Sequence, residues 1–339
     1  MTTLVTGLET EVRAPGLRSL KALPPGRAAV RAVSNIGTLV AFAQLGGPFD
    51  PGLHGELARL ELPRMALGIG AEDVALTAGG WRPGLRRQVF AGLTGALVID
   101  GQAAERLERS GLATRRIRIA GAIGEIPEVL PCIESDREDM ARALGTRPVW
   151  LAADLPLSEA AYVEAAHRLA TRQAHRLMLV VAPPEEGPAV DRLAEALGAR
   201  GLRISRRDAA EEPEEDTDIY LADGPGELGL WLRLAPVTYL GGTLTTGAMR
   251  SPYTVASLGS ALIHGPKRGA FDVDFTRLLA QGGARAVRQS VGLGPALAEL
   301  LAPDRAARLA HAAWDVASEG ADAMAAAVET VLAQLPVTA

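Results

Sequence analysis

The chain has 339 residues, of which 48% are hydrophobic and 22% are charged, so a disordered or fibrous chain and a single small module are excluded. Its net charge is −5 and its basic residues are spread along the sequence, which argues against a nucleic-acid partner. The only cysteine, Cys132, excludes an internal disulfide and a cysteine-rich zinc site and favours a cytoplasmic setting. Charges and prolines interrupt residues 1–24, where neither a signal peptide nor a transmembrane anchor is predicted.

Short apolar runs alternate with amphipathic segments along the chain, a pattern typical of α/β proteins with parallel sheets. In the first half, the pattern predicts strands at 27–33, 74–78, 95–100 and 116–120, and helices at 38–45, 85–91 and 102–110. A polar stretch at 127–146 separates this set from a second one. There, strands are predicted at 148–153, 176–182, 202–205, 218–222, 237–240 and 261–264. The alanine-rich segment 303–335 predicts one or two closing helices.

The common catalytic and metal-binding motifs are missing from the sequence. The five histidines lie far apart, so no metal site is predicted, and His167 and His175 are interpreted as ordinary residues of a helix surface or helix end. Neither GxSxG nor GxxxxGK[ST] occurs. A serine hydrolase and a P-loop protein are therefore not indicated.

One glycine pattern, GxGxxG at Gly224, Gly226 and Gly229, follows a predicted strand and opens a predicted helix. A dinucleotide site would need an acidic residue about twenty positions later, where this chain reads TTGAMRS. The pattern also fits a tight strand-to-helix turn. A third interpretation is another kind of phosphate site, because a helix N-terminus offers free amides and the positive end of a dipole.

The segment 218–259, DIYLADGPGELGLWLRLAPVTYLGGTLTTGAMRSPYTVASLG, carries a family resemblance. It resembles the C-terminal domain of the 3-deoxy-D-manno-octulosonic acid (Kdo) transferases, whose pattern is D-T-M-G-E-L-G-L, then V-G-G-S-L, then G-G-H-N-P-L-E-P-A-A-L-G. The matches need no gaps and fall at Asp223, Gly226, Glu227, Leu228, Gly229, Gly241, Gly242, Leu244, Pro252, Ala256, Leu258 and Gly259. The similarity extends over most of 27–335 and is weak before about Pro83.

The resemblance implies a GT-B glycosyltransferase, with two Rossmann-like domains whose parallel sheets face a cleft. The implied division is a shortened N-terminal, acceptor-side domain at 1–130, a linker at 131–147, a nucleotide-sugar-binding domain at 148–310 and a closing helix at 311–339. The family transfers Kdo from CMP-Kdo to lipid A precursor in lipopolysaccharide core biosynthesis, at the cytoplasmic face of the inner membrane. The implied partners are therefore a nucleotide sugar and, peripherally, that membrane, and no cofactor is implied.

Most of the family's chemical residues are replaced in this chain. The family motif H-A-x-S-V-G-E aligns with RAVSNIG at 31–37, which retains Ser34 and has Gly37 where the family has its general base. A glycine cannot accept a proton, and general-base catalysis typically contributes roughly 100- to 10,000-fold in rate. The family's A-S-T-H-E-G-E aligns with ADLPLSE at 153–159, and PPEEGP at 183–188 has acidic residues in place of a phosphate-binding arginine. The implied acceptor binding is therefore affected most by these replacements.

A phosphate site of different composition is still predicted in the second domain. In the H-N-P-L-E-P block, the His, Asn and Glu become Arg250, Ser251 and Thr254. The predicted donor and phosphate site combines these with the helix start and a basic turn: Gly226, Glu227, Leu228, Arg250, Ser251, Thr254, Lys267 and Arg268.

Three functional hypotheses follow. The first is a divergent Kdo transferase, and the second is a catalytically silent paralogue that acts as a binding or regulatory protein. The third is a GT-B enzyme for another sugar nucleotide, with Glu56, Glu61 or Asp73 as its general base.

Overall fold

The computed structural model describes residues 2–6, 13–14, 17–20, 39–79, 82–124, 127–128, 130–184, 187–207, 211–224, 226–245 and 247–334. The chain folds into two compact units. The first comprises Met1–Glu125 and Glu319–Ala339, and the second comprises Ile126–Ser318.

The first unit contains a seven-stranded sheet. Its strands are β1 (Thr2–Thr6), β2 (Arg13–Ala14), β3 (Leu17–Leu20), β4 (Leu39–Leu45), β5 (Arg64–Ile69), β6 (Gly95–Val98) and β7 (Ile117–Ile119). They lie in the order β2-β3-β1-β4-β5-β6-β7, and the pairs are parallel except for β2 with β3. The helices are α1 (Pro51–Arg59), α2 (Pro83–Ala91) and α3 (Gly101–Arg109).

Capping residues fix where two of these helices begin. The carboxylate of Asp50 accepts a hydrogen bond from the amide of Leu53 at 2.8 Å, and that of Asp100 accepts one from Ala103 at 2.8 Å. Each cap gives a partner to an amide that the helix itself leaves unpaired.

The helix predicted at 38–45 is wrong, because Leu39–Leu45 forms β4. This strand lies between β1 and β5, and Ala41, Phe42 and Ala43 are fully buried. A strand buried on both faces has a continuous apolar sequence, which periodicity cannot separate from a buried helix. The strand predicted at 74–78 is also wrong, since only Leu76 forms a bridge, to Phe49. The strand predicted at 27–33 lies outside the described residues.

The second unit contains a seven-stranded sheet in which all pairs are parallel. Its strands are β8 (Val149–Ala153), β9 (Met178–Val181), β10 (Ile204–Arg206), β11 (Ile219–Leu221), β12 (Val237–Leu240), β13 (Ala261–His264) and β14 (Ala284–Ala286). Its helices are α4 (Glu134–Leu144), α5 (Ala160–Thr171), α6 (Pro188–Gly198), α7 (Glu227–Leu234), α8 (Pro252–Ala256), α9 (Asp272–Ala280), α10 (Leu293–Leu300) and the first part of α11 (Pro303–Leu332).

The strand order of this sheet, β10-β11-β9-β8-β12-β13-β14, has a topological switch point. The chain runs outward from β8 on one side and returns to β12 on the other. Open α/β sheets bind ligands at the carboxyl ends of their strands near such a point. The ends of β8 and β12 are therefore where a site is expected.

The boundaries of the two units differ from the predicted domain boundaries. Helix α4 occupies most of the predicted linker at 131–147, and it belongs to the second unit. Helix α11 begins before the predicted closing helix and contributes residues to both units, which divide between Ser318 and Glu319. In the described part of the chain, no helix has the length and apolar character required to cross a membrane.

Candidate functional site

A cavity of about 290 Å³ opens at the carboxyl ends of β8, β9 and β11. All the described residues that line it belong to the second unit. They are Glu128, Leu130, Pro131, Asp154, Ala182, Pro183, Pro184, Ala222, Asp223, Gly224, Gly226, Glu227, Leu228, Gly229 and Arg250. The cavity thus includes the end of β8, one of the two strands at the switch point, and extends from there toward β9 and β11.

The start of helix α7 forms one wall of this cavity. Gly226 has φ +78°, a left-handed conformation that glycine adopts without steric cost, and it is the N-cap of α7. The Glu227 carboxylate accepts a hydrogen bond from the Trp231 indole at 3.0 Å and lies 3.2 Å from the Arg207 guanidinium. Glu227 therefore has protein partners, so its role here includes holding the first turn of α7.

Arg250 also lines the cavity, and it lies between two carboxylates. Its Nε donates to Asp154 at 2.9 Å, and its Nη1 donates to Glu128 at 2.6 Å. Asp154 follows β8 directly and its side chain is 12% exposed, whereas the side chain of Glu128 is 58% exposed. One cation is thus shared between a buried carboxylate and an exposed one.

Each described carboxylate that lines the cavity is paired with an arginine. Asp223 accepts a hydrogen bond from Arg206 at 2.8 Å, and Arg206 also contacts Asp191 at 2.7 Å. Together with the pairs at Arg207 and Arg250, these contacts offset most of the negative charge of the carboxylates that line the cavity. The sequence interpretation missed Glu128 and Asp154, because their contacts with Arg250 join residues 122 and 96 positions apart.

A buried carboxylate, Glu159, organises the loop that follows β12. It is fully buried and accepts hydrogen bonds from the amides of Gly242, Leu244 and Thr245 at 2.6–3.0 Å. The Tyr239 hydroxyl donates to it at 2.7 Å. The segment 153–159 is among the replaced motifs of the family pattern, yet Glu159 matches the final residue of A-S-T-H-E-G-E, and this match is the sequence signal for its role.

The remaining predicted site residues do not line the cavity. Ser251 is the N-cap of α8, and the Thr254 side chain is fully buried. Among the described residues, Thr254 Oγ1 has no hydrogen-bond partner. Lys267 is exposed on the turn after β13, and Arg268 on the same turn contacts Asp272 at 3.4 Å. The structure therefore gathers Gly226, Glu227, Leu228 and Arg250 around one cavity.

The proposed general-base positions lie elsewhere in the chain. Gly37 and Ser34 fall outside the described residues. Glu56 pairs with Arg59 at 3.1 Å, and Asp73 accepts a hydrogen bond from the Gly70 amide at 2.8 Å. Glu61 has φ +54° and is exposed. These contacts give Glu56 and Asp73 local structural roles.

Three histidines are buried and neutral. Burial lowers the pKa of His54 to about 3 and lowers the pKa values of His167 and His264 to about 4. His167 accepts a hydrogen bond from the Trp150 indole at 3.1 Å, so its predicted place on a helix surface or helix end is wrong. Within the described residues, no group of His, Cys, Asp and Glu is arranged to hold a metal ion.

The fold and site define the class of the protein: two α/β units, each built on a largely parallel sheet, with a pocket at the carboxyl edge of the sheet in the second unit. The predicted α/β class is confirmed. No family model matches the chain.

Comparison with known proteins confirms the predicted resemblance to the 3-deoxy-D-manno-octulosonic acid transferases. It is 27% identical over 182 residues to the Haemophilus influenzae enzyme of that name, covering 52% of this chain and 42% of the relative. It is 27% identical over 259 residues to the Bordetella pertussis enzyme, covering 73% of this chain and 58% of the relative. The chain thus spans about half the length of the curated relatives it matches.

The comparison with solved structures supports the fold of part of the chain. The C-terminal CMP-Kdo binding domain of WaaA from Acinetobacter baumannii aligns with a TM-score of 0.50 and 22% identity. The alignment covers 54% of this chain and 96% of that domain. At this identity, the likeness concerns the fold.

Proposed function

We propose that the second unit binds a nucleotide sugar in the cavity beside α7, and that the chain is a glycosyltransferase of the Kdo transferase type. CMP-Kdo is the donor that the relatives suggest. The lipid A precursor is the corresponding acceptor, reached by peripheral contact with the cytoplasmic face of the inner membrane. The observation that carries this proposal is that Asp223 and Gly226–Gly229, the first matched block, line the cavity.

The chemistry of the cavity fits the phosphate of a nucleotide. The first amides of α7 have no partners within the helix, and the positive end of the helix dipole lies there. Arg250 supplies a guanidinium at the same cavity. On transfer, the acceptor hydroxyl oxygen would form a bond to the anomeric carbon while the bond from that carbon to the phosphate oxygen breaks. The nucleotide would leave with the bonding electron pair and the hydroxyl proton would pass to a base.

A catalytically silent paralogue is the second candidate. Gly37 stands at the family's base position and offers no group to take the hydroxyl proton. Thr254, which replaces a carboxylate of the family pattern, is buried away from the cavity lining. The first observation favours binding without transfer, and the second removes a carboxylate from the predicted donor site. A GT-B enzyme for a different sugar nucleotide remains the third candidate, and the choice of nucleotide tests it.

The binding experiment is isothermal titration of the protein with CMP-Kdo, CMP, UDP, UDP-N-acetylglucosamine and GDP. Leu228, which lines the cavity, is replaced by Trp to fill it, and L234W at the other end of α7 is the matched control. We expect CMP-Kdo and CMP to bind the parent and L234W, and L228W to lose this binding. If L228W binds as the parent does, the site is elsewhere. If only a uridine or guanosine nucleotide binds, the donor assignment is wrong.

A transfer assay separates the first two candidates. CMP-Kdo and lipid A precursor are incubated with the parent, and Kdo transfer is followed by mass spectrometry. Because Gly37 provides no base, we expect transfer roughly 100- to 10,000-fold slower than that of an ordinary family member. Binding without any transfer would establish the silent paralogue, and ordinary turnover would show that another carboxylate serves as the base.

A further inference from the structure

The contact between Glu128 and Arg250 suggests how ligands gain access to the cavity. Glu128 lies in an irregular segment near the start of the second unit, and its carboxylate accepts from Arg250 Nη1 at 2.6 Å. Both side chains line the cavity. Among the residues that the structure describes, Arg250 is therefore the cation that lines the cavity, and its Nη1 is occupied by a protein carboxylate.

The two carboxylates on Arg250 have different environments. Asp154 contacts both Nε and Nη2, at 2.9 and 3.4 Å, and its side chain is 12% exposed. The backbone of Asp154 also packs tightly against that of Gly241. The approach is so close that a Cβ at Gly241 would lie only 2.3 Å from the Asp154 carbonyl oxygen. Asp154 thus orients the guanidinium.

Glu128 is not fixed in this way. Its side chain is 58% exposed, and it contacts Arg250 through one oxygen at Nη1. Exposed ion pairs are weak, since water screens the charges and two side chains must be ordered. A carboxylate and a phosphate oxygen accept hydrogen bonds from guanidinium in the same manner. A ligand anion can therefore take the place of the Glu128 carboxylate.

We propose that Glu128 is a specificity-determining residue that occupies Arg250 Nη1 in the free protein and must be displaced by an anionic group of the ligand. Glu128 thereby competes with a ligand phosphate and lowers the affinity of the cavity for anions, while Asp154 keeps Arg250 in position. A ligand without an anionic group gains no binding energy at Arg250 from displacing Glu128. The nucleotide identity rests on the proposed function, but the competition at Arg250 does not.

The first test compares CMP with cytidine, which lacks the phosphate, by titration calorimetry. E128Q keeps the length of the side chain and removes its charge. E138Q on α4 is the control, since Glu138 is exposed and does not line the cavity. From the strength of exposed ion pairs, E128Q is expected to bind CMP about two- to fivefold more tightly than the parent and E138Q, with cytidine binding unchanged. Equal CMP affinities for E128Q and E138Q would overturn the proposal.

The second test does not require a nucleotide. Phenylglyoxal modifies accessible guanidinium groups, and peptide mass spectrometry gives the modification rate at Arg250, with exposed Arg192 as the internal reference. The rate at Arg250 should rise in E128Q and in E128A relative to the parent, and the rate at Arg192 should not change. Equal rates at Arg250 in all three proteins would overturn the proposal. If no nucleotide binds any variant but the Arg250 rate rises, the proposed function fails and the role of Glu128 stands.

Discussion

The side chain of Glu159 has more hydrogen-bond donors around it than any predicted site residue has. Three loop amides and the Tyr239 hydroxyl all point at one fully buried carboxylate. Burial without such donors would be costly for a charged group, whereas several donors compensate for the lost water. Glu159 is therefore the residue that holds the loop after β12 next to the end of β8.

Replacing Glu159 by Ala should destabilise the second unit. The change leaves the amides of Gly242, Leu244 and Thr245 without their acceptor, and each buried unpaired donor costs about 1–3 kcal/mol. We expect the free energy of unfolding to fall by about 3 kcal/mol or more in urea titrations followed by fluorescence. E195A, at an exposed position on α6, should change it by about 0.5 kcal/mol or less. A similar small effect for both variants would contradict the role given to Glu159.

The buried histidines predict a loss of stability in mild acid. Their pKa values in the folded protein, about 3 for His54 and about 4 for His167 and His264, lie below the unfolded value of 6.5 because burial disfavours the charged ring. The unfolded chain therefore binds more protons below pH 6.5. Stability is fully present above that pH and falls as the pH drops toward 4, by about 1.4 kcal/mol per pH unit for each histidine.

The measurement is the free energy of unfolding at pH 7.5 and pH 5 for H264Q and for the control H175Q. His175 is exposed, so H175Q should keep the pH dependence of the parent. H264Q removes one titrating group that is neutral when folded, so the loss of stability between the two pH values should be smaller. An unchanged pH dependence in H264Q would mean that His264 is already protonated in the folded protein.

At the scale of elements, the strands and turns of the second unit were largely predictable. The glycines that follow β12 show why: a Cβ at Gly241 would lie 2.3 Å from the Asp154 carbonyl oxygen, and Gly242 has φ +71°. Such positions leave a signal in the sequence because other residues do not fit them. Strand β4 left no comparable signal, since its burial on both faces depends on neighbours far away in the chain.

The candidate site was predictable only in part, for a related physical reason. Gly226 to Gly229 form one local turn and helix start, so a short pattern revealed them. The partners of Arg250 are supplied by two other segments, and no local pattern encodes an ion pair across 96 or 122 positions. Thr254 could be aligned with a family carboxylate, but its burial in α8 depends on the packing of the whole unit.

The positive charge for a ligand phosphate could come from Arg250 at the cavity or from Lys267 and Arg268 on the turn after β13. A double substitution in this turn separates the two. Lys267 and Arg268 follow a strand whose carboxyl end lies at the same edge of the sheet as the cavity. If they complete the phosphate site, K267E/R268E removes two cations and adds two anions there. In that case this variant should abolish binding of the nucleotide identified by titration, because hydrogen bonds to charged groups contribute about 1.5–3 kcal/mol each.

The control is R172E/R192E, which makes the same charge change at two exposed positions of the second unit. It should bind the nucleotide as the parent does. Both double variants should unfold at nearly the parent's urea midpoint, since surface substitutions typically change stability by about 0.5 kcal/mol or less. Parent-like affinity in K267E/R268E would confine the phosphate site to the cavity between α7 and Arg250.

At the scale of the whole molecule, the chain contains two compact units, and the cavity lies within one of them. A ligand that binds only the folded form of that unit stabilises it by mass action, by about 2.7 kcal/mol at a concentration 100 times its Kd. The effect should be local, because the described lining residues run from Glu128 to Arg250 and none of these comes from the first unit.

Hydrogen exchange measured by mass spectrometry resolves the response of each unit. With saturating CMP, amides between 126 and 318 that exchange through unfolding of the second unit should slow, up to about 100-fold at 100 times the Kd. Peptides from 39–124 should exchange at their original rates, and L228W should show no slowing in either unit. Equal protection in 39–124 would mean that the first unit contributes to binding or unfolds together with the second. Slowing confined to 126–318 is the result expected of a site built entirely from the second unit.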